Sequence, residues 1–137
     1  MSFNNVGTGL QELGRYDEAV NHFQQALTGW EDLFGPQHHE TALTCHNLGR
    51  CLRLMGRYTA AYTYIERARR IWEETLGTEH HLTADCYQNL GLLYRDMGER
   101  PQAQTYLQQA LHVREQLLGR DHPRTQESRT ALAKIER

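Results

Sequence analysis

The chain has 137 residues, a net charge of −2, 39% apolar residues and three prolines, a balance that suits one folded domain. Near-neutral charge gives no general attraction to nucleic acid. No apolar run approaches the roughly 18 residues a membrane-spanning helix needs, and no signal-peptide pattern opens the chain.

Apolar residues recur at helical spacing throughout, and the pattern predicts seven helices, at about 3–14, 16–34, 39–55, 58–76, 81–97, 100–118 and 123–136. From Thr41 to Met55 the stripe is Leu43, Cys45, Leu48, Gly49, Leu52 and Met55, closed by Gly56. The next stripe is Ala61, Tyr64, Ile65, Ala68, Ile71, Trp72 and Leu76, stopped by Gly77. Pro101 falls in the first turn of its helix, where a missing amide proton costs little. Linkers such as Gly77–His81 and Gly119–Pro123 are short, so successive helices must pack antiparallel. The three cysteines, Cys45, Cys51 and Cys86, are odd in number and lie in helical patterns. They read as buried or half-buried thiols of a reducing compartment, and a cytoplasmic location is expected.

One 42-residue unit repeats three times. Gly14, Gly56 and Gly98 mark it, as do Gly35, Gly77 and Gly119, Asn5, Asn47 and Asn89, and the joints His38, His80 and His122. Units fall at about 1–38, 39–80 and 81–122, followed by a last helix over 123–137, all in one repeat domain. Such a period is the mark of a solenoid, in which each unit buries its apolar face against its neighbours. Gly49 and Gly91 on first helices, with Ala61, Ala68, Ala103 and Ala110 on second helices, let backbones approach closely.

Leu48-Gly49, Leu52, Gly56, Tyr58, Ala61, Ile65 and Ala68 resemble the signature of a tetratricopeptide (TPR) repeat. The stretch from Leu76 to Pro123 is similar to the 42-residue variety found in kinesin light chains. The resemblance implies an all-α, right-handed α-solenoid of antiparallel helix pairs, about three repeats plus a C-terminal capping helix. His39 and His81 stand where the pattern favours proline, which Pro123 retains. Arg129 and Glu136 replace apolar or aromatic residues, as a polar cap would. The stretch before Gly14 is short, which fits either a piece of a longer array or a natural cap, and weak self-association through that end is expected.

In such repeats the first helix of each pair lines the concave side, and an asparagine commonly grips a ligand backbone there. Asn5, Asn47 and Asn89 match that position, and an amide can donate to and accept from an extended chain at once. His46, Arg50, Arg53, Gln88, Arg95 and Lys134 flank them, with Asn4, Thr8, Gln11, Leu92 and Arg137. This set has no acidic residue, and arginine pairs with carboxylate through two hydrogen bonds, so an acidic protein or peptide partner is expected. Asp85, Asp96 and Glu127 lie near the rim. The plain structural alternative is an asparagine bonded to a neighbouring helix or loop, with arginines as solvated surface. Trp30 and Trp72 read as packing residues.

His38-His39, His80-His81 and His122 invite a metal reading, yet no carboxylate or cysteine stands at ligand spacing. A histidine just before a helix can instead bond free backbone amides. Cys45 and His46 face about 100° apart on one helix and cannot act as nucleophile and base. No phosphate loop or hydrolase motif occurs, so no catalytic site, metal or cofactor is expected. The leading reading is a non-enzymatic interaction module that binds an acidic segment in its concave groove. The alternative is a structural or oligomerisation segment of a larger signalling or sensor protein, such as a TPR-containing signalling ATPase.

Overall fold

Glycines and histidines set the helix limits. In the computed structural model, which describes residues 15–136, the helices are α1 (Tyr16–Phe34), α2 (His39–Leu54), α3 (Tyr58–Leu76), α4 (His81–Asp96), α5 (Arg100–Leu118) and α6 (Pro123–Glu136). No strand occurs among the described residues. The helix expected at 3–14, Asn5 and the self-association expected at that end lie outside the described residues. The six remaining predicted helices are present, with ends within one residue of the expected limits.

Two helix stops are built alike. Gly56 and Gly98 adopt φ of 81° and 79°, a region that costs other residues a steric clash. Gly56 N–H then donates to Arg53 O and Arg57 N–H to Leu52 O, both at 2.9 Å. Gly98 and Glu99 repeat the pair on Arg95 O and Tyr94 O at 3.0 and 2.8 Å, so the last carbonyls of α2 and α4 are satisfied.

Helix starts depend on histidine. Nδ1 of His38, His80 and His122 accepts from the backbone N–H of Glu40, Leu82 and Arg124, each at 3.1 Å. Each ring thus caps an amide that the helix cannot satisfy itself. Three residues on, buried Thr41 and Thr83 donate to Gly35 O and Gly77 O at 2.9 and 2.8 Å, fastening the linker to the helix. The joint histidines therefore have a structural task.

The chain divides into two compact units, Met1–Ile71 and Trp72–Arg137, with the boundary inside α3. In the first, α1 packs on α2, with Val20, Phe23 and Leu27 buried on α1 and Cys45, Leu48 and Leu52 buried on α2. Gly49 meets α3 so closely that a Cβ there would lie 3.0 Å from Ile65 N and 3.1 Å from Ala61 O. In the second unit Gly91 does the same against Leu107, at 3.2 Å from its backbone nitrogen. The small residues at these steps are contact points between backbones, as their spacing predicts.

The second unit closes with α6, whose Ala131 and Ile135 join Ala103 and Leu107 in one core, flanked by Leu92, Tyr94 and Leu132. Trp72 is fully buried. Trp30 stacks on Phe34 at 5.7 Å and Phe34 on His38 at 4.3 Å, tying the end of α1 to the cap of α2. Tyr94 stacks on Tyr106 at 5.8 Å, and Tyr87 OH donates to Glu73 Oε2 at 2.6 Å.

Candidate functional site

Within the first unit, α2 carries Asn47, Arg50 and Arg53 at steps of three, one stripe of the helix. Arg50 is exposed, Asn47 and Arg53 are half-buried, and His46 is buried at 7% exposure. His46 therefore faces inward more than a ligand-gripping position requires. Cys45 and Cys51 on the same helix are fully buried free thiols. Burial pushes both up to about 11, with Arg67 pulling Cys45 and Arg50 pulling Cys51 the other way. They are protonated and inert at neutral pH.

Within the second unit, α4 repeats the stripe as Asn89, Leu92 and Arg95. Asn89 is 8% exposed, and its Nδ2 donates to Asp85 O one turn back at 3.1 Å. That bond lies within its own helix. Arg95 is exposed and donates to Asp96 Oδ1 at 3.0 and 3.2 Å. Lys134 is exposed in the last turn of α6.

Gln88 corrects the expectation of an open position. It is 2% exposed, and its Oε1 accepts from Ser128 Oγ of α6 at 2.6 Å. Ser128 in turn accepts from Arg114 Nη1 at 2.9 Å, and Arg114 Nη2 pairs with Asp85 Oδ1 at 2.9 Å. Arg114 Nη1 also donates to Arg124 O at 3.0 Å, and Arg124 pairs with Asp85 Oδ2 at 3.2 Å. Asp85, expected near the rim of a binding face, is thus the inner partner of a guanidinium only 4% exposed. This network docks α6 onto α4 and α5.

Sequence reasoning missed that pairing, although a signal was present. Arg114 stands one period after Trp72 and two after Trp30, and Asp85 one period after Leu43.

A cleft of about 490 Å³ opens in the second unit, lined by Arg95, Gly98, Arg100, Lys134 and Ile135. It brings together two of the predicted residues, Arg95 and Lys134, and adds Arg100, which the sequence reading did not single out. No group of three or more histidine, cysteine or acidic side chains able to hold a metal occurs among the described residues. No helix among them is long and apolar enough to cross a membrane.

Successive helix pairs, glycine stops, histidine-capped joints and small residues at the crossings define an all-α protein of repeated helical hairpins. The chain belongs to the tetratricopeptide repeat family, whose sequence profile matches residues 1–61 and 43–116. Its fold is the TPR-like α-solenoid shared with kinesin light chain-like proteins. The crystal structure of BtubC (BKLC) from P. vanneervenii is similar with a TM-score of 0.88 at 21% identity, covering 97% of this chain and 53% of that one. A putative kinesin light chain of Podosopora anserina with nearly identical TPR-like repeats gives 0.88 at 22% identity, covering 97% and 63%. The chain thus spans less than two thirds of either structure. No curated protein matches it in sequence.

Proposed function

We propose that this chain is a non-enzymatic protein–protein interaction module that binds an extended, acidic peptide segment of a partner along the first helix of each pair. The observation that carries this reading is the stripe shared by α2 and α4. Asn47–Arg50–Arg53 and Asn89–Leu92–Arg95 each run from an amide to an arginine with no acidic residue on the stripe. Family membership supports the general class, because TPR repeats serve as surfaces for other proteins. Exposed Arg50, Arg95 and Lys134 supply the cations, and guanidinium binds carboxylate in two parallel hydrogen bonds. His46, Gln88 and Asn89, being buried, are left to packing, so half-buried Asn47 supplies the amide. Few repeats offer a short contact, so a Kd of about micromolar is expected, weakened by salt because exposed charges are screened over ~8 Å at physiological ionic strength.

Fluorescence anisotropy with degenerate acidic peptides and their amide counterparts tests the proposal. Replacing Asn47, Arg50 and Arg53 together with alanine should weaken the acidic peptides at least about tenfold, the loss of roughly one charge-assisted contact. Unchanged affinity in a variant with unchanged helicity removes the stripe from consideration. A tight dimer in sedimentation, with no peptide bound, would instead favour the structural-segment alternative.

A further inference from the structure

We propose that the cleft lined by Arg95, Gly98, Arg100, Lys134 and Ile135 takes a phosphorylated side chain, phosphoserine or phosphothreonine, on the bound acidic segment; this rests on the peptide reading above. Arg95 and Lys134 alone would be unremarked, since each lies in the last turn of a helix, where a cation complements the negative end of the dipole. Arg100 cannot be explained so. It is the first residue of the 19-residue α5, the end where helix electrostatics disfavour a positive charge. Tyr58 and Tyr16 occupy its place one and two periods earlier, while Arg57 and Arg15 stand just before them, where this unit has Glu99. Exposed in the first turn of α5, it shares one cleft with Arg95 and Lys134, and the three cations together call for an anion.

The anion's charge follows from the lining. Three cations face the cleft, and Asp96 offsets one by pairing with Arg95. Glu99 is exposed beside the cleft but is not part of its lining. Two positive charges remain, which one carboxylate leaves half-matched and a phosphate monoester, at about −1.5 to −2, satisfies. At the start of α5 the N-cap residue Glu99 makes no side-chain hydrogen bond, so the first backbone N–H groups are open to an anion. Guanidinium groups fork onto phosphate oxygens, while buried Ile135 gives the floor an apolar patch for the aliphatic part of the ligand. The volume lies within the ordinary range of small-ligand clefts.

The test compares acidic peptides carrying serine, glutamate or phosphoserine at one place, on the native chain and on Arg100→Tyr, which restores the residue of the other two units. Phosphoserine should bind about tenfold tighter than serine, with glutamate between, as one to three added charge-assisted hydrogen bonds would give. Arg100→Tyr should abolish that gain and leave the serine peptide within about twofold, since only the screened rim charge changes. A phosphoserine gain that is absent, or that survives Arg100→Tyr, overturns the inference while the peptide reading stands. Failure of all three peptides defeats the peptide reading, and the cleft is then judged by phenyl phosphate alone. Shifts of the Arg95 side-chain N–H resonances that vanish in Arg100→Tyr support it, and their absence overturns it. Binding to phosphatidate vesicles that is lost in Arg100→Tyr, without any phosphopeptide preference, would replace the peptide with a lipid headgroup and overturn the proposal.

Discussion

Gly49→Ala is the perturbation that tests the close crossing of α2 and α3. Glycine inside a helix costs about 1 kcal/mol relative to alanine, so helix propensity alone says the change should stabilise. The crossing says otherwise. An added Cβ would collide with Ile65 Cγ1 and lie 3.0 Å from Ile65 N and 3.1 Å from Ala61 O. The isoleucine side chain can turn aside, but two of the three obstacles are backbone, so the helices must separate. Overpacking of this kind costs about 1–3 kcal/mol, and the upper part of that range applies where backbone must move. After the propensity gain, a net loss of about 1–2 kcal/mol remains. At about 3 °C per kcal/mol for a chain of this size, the midpoint should fall by roughly 3–6 °C. Gly29→Ala in α1 is the matched control, because nothing lies within 4 Å of the Cβ it would add. It should raise the midpoint by about 2–3 °C through propensity alone. Thermal unfolding followed by circular dichroism reads both. If Gly49→Ala stabilises the chain as Gly29→Ala does, the backbones do not touch at Gly49 and the account of unit packing is wrong.

Breaking the Asp85–Arg114 pair by Asp85→Leu should cost about 3 kcal/mol or more in urea unfolding, because it strands a guanidinium that is almost fully buried. Adding Arg114→Trp, so that both positions carry the residues found one period earlier, should recover most of that loss by removing the stranded charge; a double variant no better than the single would refute that cause. His80→Ala should destabilise by about 1 kcal/mol and His80→Asn by much less, because asparagine can still accept from Leu82 N–H. Equal losses in the two would show that the ring packs rather than caps. Burial raises Cys45 and Cys51 from 9.0 to about 11, so above pH 9 the unfolded chain sheds protons that the folded chain keeps. Stability should therefore fall as pH rises from about 9 to about 11, and Cys45→Ala with Cys51→Ala should remove that part of the slope. Rapid labelling of the native thiols at pH 8 would contradict their burial.

Helix limits and joints were legible because they rest on local chemistry. A glycine that ends a helix and a histidine that caps the next act within a few residues, and the 42-residue step repeats those signals. Gly49 and Gly91 were legible for a related reason, since only a close crossing explains small residues recurring on one stripe. The candidate site was harder to read. Arg50, Arg95 and Lys134 are exposed as the stripe suggests, whereas Gln88 and Asn89 are buried despite standing beside them. Periodicity assigns a residue to a helix face but not to what covers that face, and here α6 covers Gln88.

The amino-acid sequence by itself determined the helices, their order and the repeated unit, because hydrogen bonding along a helix and capping at its ends are settled between near neighbours. Tertiary structure alone decided that Arg114 reaches Asp85 across 29 residues and that Arg100 shares a cleft with Lys134. Charge pairing at such separations depends on which helices meet, and the energy of burying a charge becomes definite only once its surroundings are in place.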